Sequence, residues 1–212
     1  MKRISFLIGG ILIGCSVLTA RPISYPGAWT IMQMNQWDKS WIHVHYSPNI
    51  KNSLGLNIDD YHNEGRININ VKWNHLLKRR NTRFSQANLY LKSQIGAAQY
   101  EDKDNLTMSM AIAGDWETRR YFVAYTGMGE YTKNIDKGSF HQNARVGIAP
   151  YVAEYGSLHS WIMLQVEHHP SENQRKQQLI ITPLLRFLKG VCLLEIGINS
   201  NGKGMLNWVI RF

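Results

Sequence analysis

Apolar residues alternate with polar or small ones along most of this chain. In the closing segment Leu206, Trp208, Ile210 and Phe212 share one face of an extended strand, while Met205, Asn207, Val209 and Arg211 share the other. Period two is the mark of a β-strand, because successive side chains point to opposite faces. The pattern recurs in Ile42/Val44/Tyr46, Leu54/Leu56/Ile58, Ile67/Ile69/Val71/Trp73, Leu106/Met108/Met110/Ile112, Ala144/Val146/Ile148/Pro150/Val152, Leu158/Ser160/Ile162/Leu164/Val166, Leu179/Ile181/Pro183/Leu185/Phe187 and Cys192/Leu194/Ile196/Ile198. With weaker segments at 29–35, 84–99 and 119–128, it predicts strands near 29–35, 41–47, 53–60, 66–76, 84–99, 105–113, 119–128, 142–153, 157–167, 177–187, 191–198 and 204–212. That is about twelve, within a range of roughly 10–14. No segment sustains a helical period, so the expected class is all-β.

A chain of 212 residues with 44% hydrophobic and only 18% charged residues buries surface somewhere and is not disordered. No Ser/Gly/Pro-rich linker divides it, and one domain over residues 21–212 is expected. After residue 20 no apolar run approaches the roughly 18 residues of a membrane-spanning helix, which excludes a polytopic helical membrane protein. A membrane barrel remains open, since it needs only alternate apolar residues.

Residues 1–20 read as an export leader: Lys2 and Arg3, an apolar stretch from Ile4 to Ile13, then small or neutral residues. Cleavage after Ala20 competes with a lipoprotein reading cleaved before Cys15, because Leu12-Ile13-Gly14-Cys15 resembles a bacterial lipobox. The only other cysteine is Cys192, so no internal disulfide framework is expected. The full chain carries 24 Lys and Arg against 15 Asp and Glu, a net +9, and loss of Lys2 and Arg3 with the leader brings this to +7. In an exported protein such a charge suits anionic lipid head groups better than nucleic acid.

The strand ending on Phe212 resembles the C-terminal signal by which bacterial outer-membrane β-barrel proteins are recognised for insertion. The resemblance implies a single antiparallel transmembrane barrel with an even number of strands, short periplasmic turns and longer outer loops. It also implies residence in the outer membrane of a Gram-negative envelope, among its lipid and lipopolysaccharide. Barrel-assembly machinery would read Leu206, Trp208, Ile210 and Phe212. Counted back from Phe212, the outer connections hold NQWDK, DYHNEG, EDKDN, the 130–141 stretch, HPSENQRK and SNGKG, all polar; the inner ones hold SPNIKN, LLKRRNT, GDWET, EYGS and LKG. Trp29, Trp41, Tyr46, Trp73, Tyr90, Tyr121, Tyr125, Tyr151, Trp208 and Phe212 fall largely near strand ends, as interfacial girdles do. A soluble exported sandwich or lipocalin-like barrel would show the same alternation with its apolar face turned inward.

If the apolar face meets lipid, the lumen receives His43, His45, Lys72, Lys92, Arg120, Arg145, His159, Glu167, Arg186, Glu195 and Arg211. Six fixed cations then face two carboxylates. Like-signed charges set selectivity in a pore, so one reading is a small porin-like channel with a basic lumen. The other is a structural or accessory envelope barrel whose narrow lumen is filled by Arg–Glu pairs that satisfy buried polar groups.

Two candidate chemical sites stand beside these. Trp41-Ile42-His43-Val44-His45 sets two imidazoles on one face, a spacing that can grip a transition metal, with His159 as a third ligand from another strand. Met32/Met34 and Met108/Met110 fall on the apolar face by the alternation, where methionine is ordinary hydrophobic filling. Ser139-Phe140-His141-Gln142-Asn143 sets a hydroxyl, an imidazole and an amide on one face, the groups a Ser/His/Asn hydrolase uses. In this it resembles the outer-membrane phospholipases, which are twelve-stranded barrels with such a trio, and a lipid hydrolase is the implied alternative. Residues two apart on one strand project in parallel, however, and His141 is expected to open a loop. His168-His169, beside Pro170, reads as loop. There is no phosphate-binding loop, CxxC or nucleic-acid motif, so no cofactor is expected and enzyme function is left open.

Overall fold

The computed structural model describes residues 25–154, 156–169 and 178–212. The leader with Cys15, and most of the HPSENQRK connection, lie outside them. Twelve strands follow in order: β1 (Trp29–Asn35), β2 (Lys39–Asn49), β3 (Asn52–Tyr61), β4 (Arg66–Asn81), β5 (Ser85–Tyr100), β6 (Lys103–Thr118), β7 (Tyr121–Thr132), β8 (Asp136–Ile148), β9 (His159–His169), β10 (Gln178–Lys189), β11 (Cys192–Ile198) and β12 (Gly204–Arg211). Each pairs antiparallel with its sequence neighbours, and β1 pairs with β12 to close the barrel. The seam runs from Thr30 opposite Arg211 to Asn35 opposite Leu206. Beyond it the Trp29 amide donates to the Phe212 carbonyl at 2.7 Å and the Phe212 amide to the Trp29 carbonyl at 3.1 Å. Closure leaves no unpaired edge, the condition for crossing a bilayer with strands.

Which face points outward is decided by the same phase. On β3 and β4 Leu56 is 59% and Ile69 56% exposed, while Asn57 and Asn70 beside them are 2% and 1% exposed. Ile112, Ile162, Leu179 and Ile198 face out in the same way, and Gln165, Thr182 and Glu195 face in. A soluble barrel has the opposite arrangement, because water would strip such a belt of its stability. Apolar outside and polar inside is the polarity of a membrane barrel.

Several local expectations change. The 130–141 stretch is not a long loop: β7 runs to Thr132, Asn134 takes a left-handed conformation (φ 64°) in a tight turn, and β8 starts at Asp136. Ser139, His141 and Asn143 therefore lie within a strand. His168 and His169 likewise continue β9. EDKDN shrinks to a two-residue turn in which Glu101 and Asp102 both have positive φ (47° and 58°), the geometry that matches strand twist. LLKRRNT extends β4, accommodated by a bulge between Leu76 and Lys78. EYGS is no tight turn, since β8 stops at Ile148 and β9 resumes at His159. Pro150, with no N–H to give a ladder, sits just past that stop.

Of the outward aromatics, Trp29, Trp116, Tyr121 and Tyr131 lie at or near strand ends, whereas Trp73, Tyr125 and Phe140 lie within their strands. Trp29 and Tyr46 lie 5.3 Å apart between ring centroids, at the barrel end that carries Phe212. Trp41 and Tyr90, expected in the girdles, turn inward instead. Their parity puts them in phase with His43 and Lys92, and phase overrides position along the strand.

Candidate functional site in the barrel lumen

The inward side chains line two adjoining cavities of about 420 and 410 Å³, whose walls share Gln36, Lys39, Trp41, Thr126, Met128, Asn143 and Glu167. The polar wall is built mainly by β2–β8. The wall from β9 to β12 is partly apolar: Trp161, Met163, Leu184 and Met205 cluster inside with Ala149, against Phe122 and Leu188. On β10 and β11 the inward face mixes Ile180, Leu184 and Leu193 with Thr182, Arg186 and Glu195, and it is the polar members that mark it as lumen.

At the end away from the termini the lumen is crossed by a polar bridge. Lys39 pairs with Asp59 at 2.6 Å and donates to the Tyr61 hydroxyl at 3.1 Å. That hydroxyl donates to Glu130 at 3.0 Å, from β3 to β7, four strands away. Arg66, 4% exposed, reaches Glu130 at 3.3 Å and Glu64 at 2.9 Å and lies 4.0 Å above the Tyr61 ring. A second bridge runs from the Gln36 amide to Glu167 at 3.1 Å, with Asn143 reaching the same carboxylate at 3.4 Å. On the other wall Glu195, 0% exposed, accepts from Arg145 at 3.1 Å, Arg186 at 2.7 Å and Asn207 at 2.7 Å. Arg145 on β8 and Glu195 on β11 are three strands apart, so this pairing also spans the interior.

Lys72 and Lys92 are different. They project from neighbouring strands into the larger cavity, offset diagonally because Lys72 pairs with Gln94 and Lys92 with Asn74. Lys72 lies 6.0 Å from the Trp41 ring. Among the described residues neither forms an ion pair, whereas Asp59, Glu130 and Glu195 are held by other cations and Glu167 by two side-chain amides.

The lumen as expected from sequence needs correcting. Arg120 does not face it: it sits in the exposed turn between β6 and β7 and reaches the Pro150 carbonyl at 3.4 Å. β7 begins only at Tyr121, so the strand predicted from residue 119 does not reach Arg120. Carboxylates were missed as well. The larger cavity is lined by five fixed cations, Lys39, Lys72, Lys92, Arg145 and Arg186, and by four carboxylates, Asp59, Asp115, Glu117 and Glu167. Lys39, Asp115, Glu117 and Glu130 lie where the alternation predicts connections, in segments that instead belong to β2, β6 and β7. Asp59 was in phase with the polar Ser53 and Asn57 and could have been found. The charges are thus nearly balanced, and what distinguishes the lumen is which of them are paired.

His159 does not join His43 and His45. It stacks on Trp161 at 3.8 Å between centroids, on a strand across the barrel. Among the described residues no three His, Cys, Asp or Glu side chains gather as metal ligands. Met108 and Met110 face outward, 40% and 60% exposed. Met32 and Met34 do not: they line the cavity, because the inward phase of β1 is even. Ser139 and His141, expected to project in parallel, meet at 3.1 Å between Oγ and Nε2. Asn143 turns instead to Glu167, and the pair faces the smaller cavity rather than the lipid belt.

A closed twelve-stranded antiparallel ladder with this polarity is the architecture of bacterial outer-membrane β-barrels. No family model matches the sequence, and no curated protein does. Among solved structures the chain is similar to the KdgM porin, with TM-score 0.53 and 6% identity over 87% of this chain and 98% of that one. The KdgM porin in complex with disordered oligogalacturonate gives TM-score 0.53 and 9% identity with the same coverage. LpxR from Salmonella typhimurium is matched over 87% of this chain and 99% of its own at 9% identity and TM-score 0.45. At such identities the likeness concerns the fold.

Proposed function

We propose that this chain is an outer-membrane channel protein that takes small anionic solutes into its lumen, with Lys72 and Lys92 as the attracting pair. The observation that carries the reading is that, among the described residues, these two cations face the larger cavity without a salt bridge, although the charge of Asp115 acts on Lys92 and that of Asp59 on Lys72. Charges paired in a network cancel at the distance of a passing ion, whereas an unpaired pair keeps its field in a low-dielectric channel. The likeness of fold to a porin agrees with this. In the same reading the leader directs export, and the face of Leu206, Trp208, Ile210 and Phe212 is the feature the assembly machinery engages. Outer-membrane lipid and lipopolysaccharide surround the apolar belt.

The test is conductance of the folded protein in planar bilayers under a salt gradient. A small anion-preferring conductance is expected, reduced or reversed by Lys72→Glu with Lys92→Glu. Arg120→Glu, in the exposed turn, should leave it unchanged. Absence of conductance steps, or a preference indifferent to the lysine reversals, would refute the reading.

A further inference from the structure

His43 and His45 are among the most buried polar side chains of the barrel, 2% and 0% exposed, yet they are poorly provided with partners. The ring centroids lie 4.8 Å apart. His43 Nδ1 lies 3.0 Å from the Leu56 carbonyl, which can only accept, so the proton sits on Nδ1 and Nε2 presents a bare lone pair. That nitrogen has no partner, and neither has either ring nitrogen of His45. A backbone carbonyl orienting one nitrogen while the other is left bare is how metal-ligating histidines are held. Gly55, directly opposite His45, lets the two backbones approach closely: a Cβ there would strike the Val44 carbonyl oxygen and lie 2.6 Å from the Cα and Cβ of His45.

Sulfur is beside them. Met32 on β1 pairs directly with His43 on β2, and Met32, Met34, His43 and His45 all line the larger cavity. Directly opposed residues on one face of a sheet have Cβ atoms roughly 4.5–5.5 Å apart, within reach of a shared ion. The donors are two imidazoles and a thioether, all neutral, with no carboxylate among them. The charges of Lys72, Lys92 and Arg211 act on these imidazoles, so a divalent ion is repelled twice as strongly as a monovalent one. Thioether sulfur selects soft metals over hard ones. We infer that Met32, His43 and His45 form a lumenal site for a soft monovalent d10 cation, copper(I), for which silver(I) is the redox-inert probe.

The test uses the full-length protein folded in detergent, with Cys15→Ser and Cys192→Ser throughout so that no thiolate competes. Titration with silver(I), and with copper(I) against a chromophoric chelator, should give one equivalent bound. His43→Ala, and separately the near-isosteric Met32→Leu, should each weaken binding at least tenfold, while zinc(II) should not compete. Folding of each variant is checked by its mobility in SDS before and after boiling. Should a variant fail to fold, X-ray absorption of the copper-loaded parent decides, with one sulfur and two imidazole scatterers expected. Absence of stoichiometric binding, affinity unmoved in folded variants, tighter binding of zinc(II), or a copper shell without sulfur would each overturn the assignment.

Discussion

Glu195 offers the sharpest test of how the lumen is held. It is fully buried on β11 and is shared by Arg145, Arg186 and Asn207. Replacing it by Ala leaves two guanidiniums facing each other without a counter-charge. Removing one member of a buried ion pair costs about 3–5 kcal/mol. The guanidiniums are 15% and 12% exposed where they line the cavity, so the lower end applies and about 3 kcal/mol is expected. Glu195→Gln keeps the shape and an acceptor for Arg186 and should lose roughly half as much, about 1.5 kcal/mol. Reversible urea unfolding in lipid vesicles, followed by tryptophan fluorescence, measures both. A double-mutant cycle with Arg186→Met isolates the pair and should show coupling above about 1 kcal/mol. The same substitution has a second consequence, because two guanidiniums freed from their carboxylate add to the field of Lys72 and Lys92. Anion preference in bilayers should therefore rise in Glu195→Gln. A loss below about 1 kcal/mol in Glu195→Ala with no coupling would refute the network.

The direction of the barrel faces is open to an equally direct check. Leu56, between Val44 and Val71 and 59% exposed, should tolerate Arg freely if it met water, but at mid-bilayer Leu56→Arg should cost about 2–4 kcal/mol and reduce the unboiled folded band in SDS gels; Ile50→Arg, in the turn between β2 and β3, should change little. For the Ser139–His141 contact, lysophospholipid release from phospholipid vesicles should be no higher for the parent than for Ser139→Ala, since Asn143, the amide of the proposed trio, is engaged with Glu167 and the pair faces the smaller cavity rather than the lipid belt. Turnover lost on that substitution would establish the hydrolase instead.

Strand number, strand class and the apolar face were legible in the chain because alternation is local: it depends only on successive side chains pointing opposite ways. The face of Leu206, Trp208, Ile210 and Phe212, or that of Ile67, Ile69, Val71 and Trp73, needs no partner to be recognised. Where phase was broken by a turn or bulge the reading slipped, as at Arg120 and in the stretch from 130 to 141. Pairing is not local. That Glu195 collects guanidiniums from β8 and β10, that Tyr61 reaches Glu130 across four strands, and that Lys72 and Lys92 are left without a salt bridge among the described residues all follow from closure and register. The same holds for Met32 opposite His43. A one-residue slip between β1 and β2 would turn Met32 toward lipid, so only the tertiary structure, through the seam that joins β1 to β12, decides what the inward face can bind.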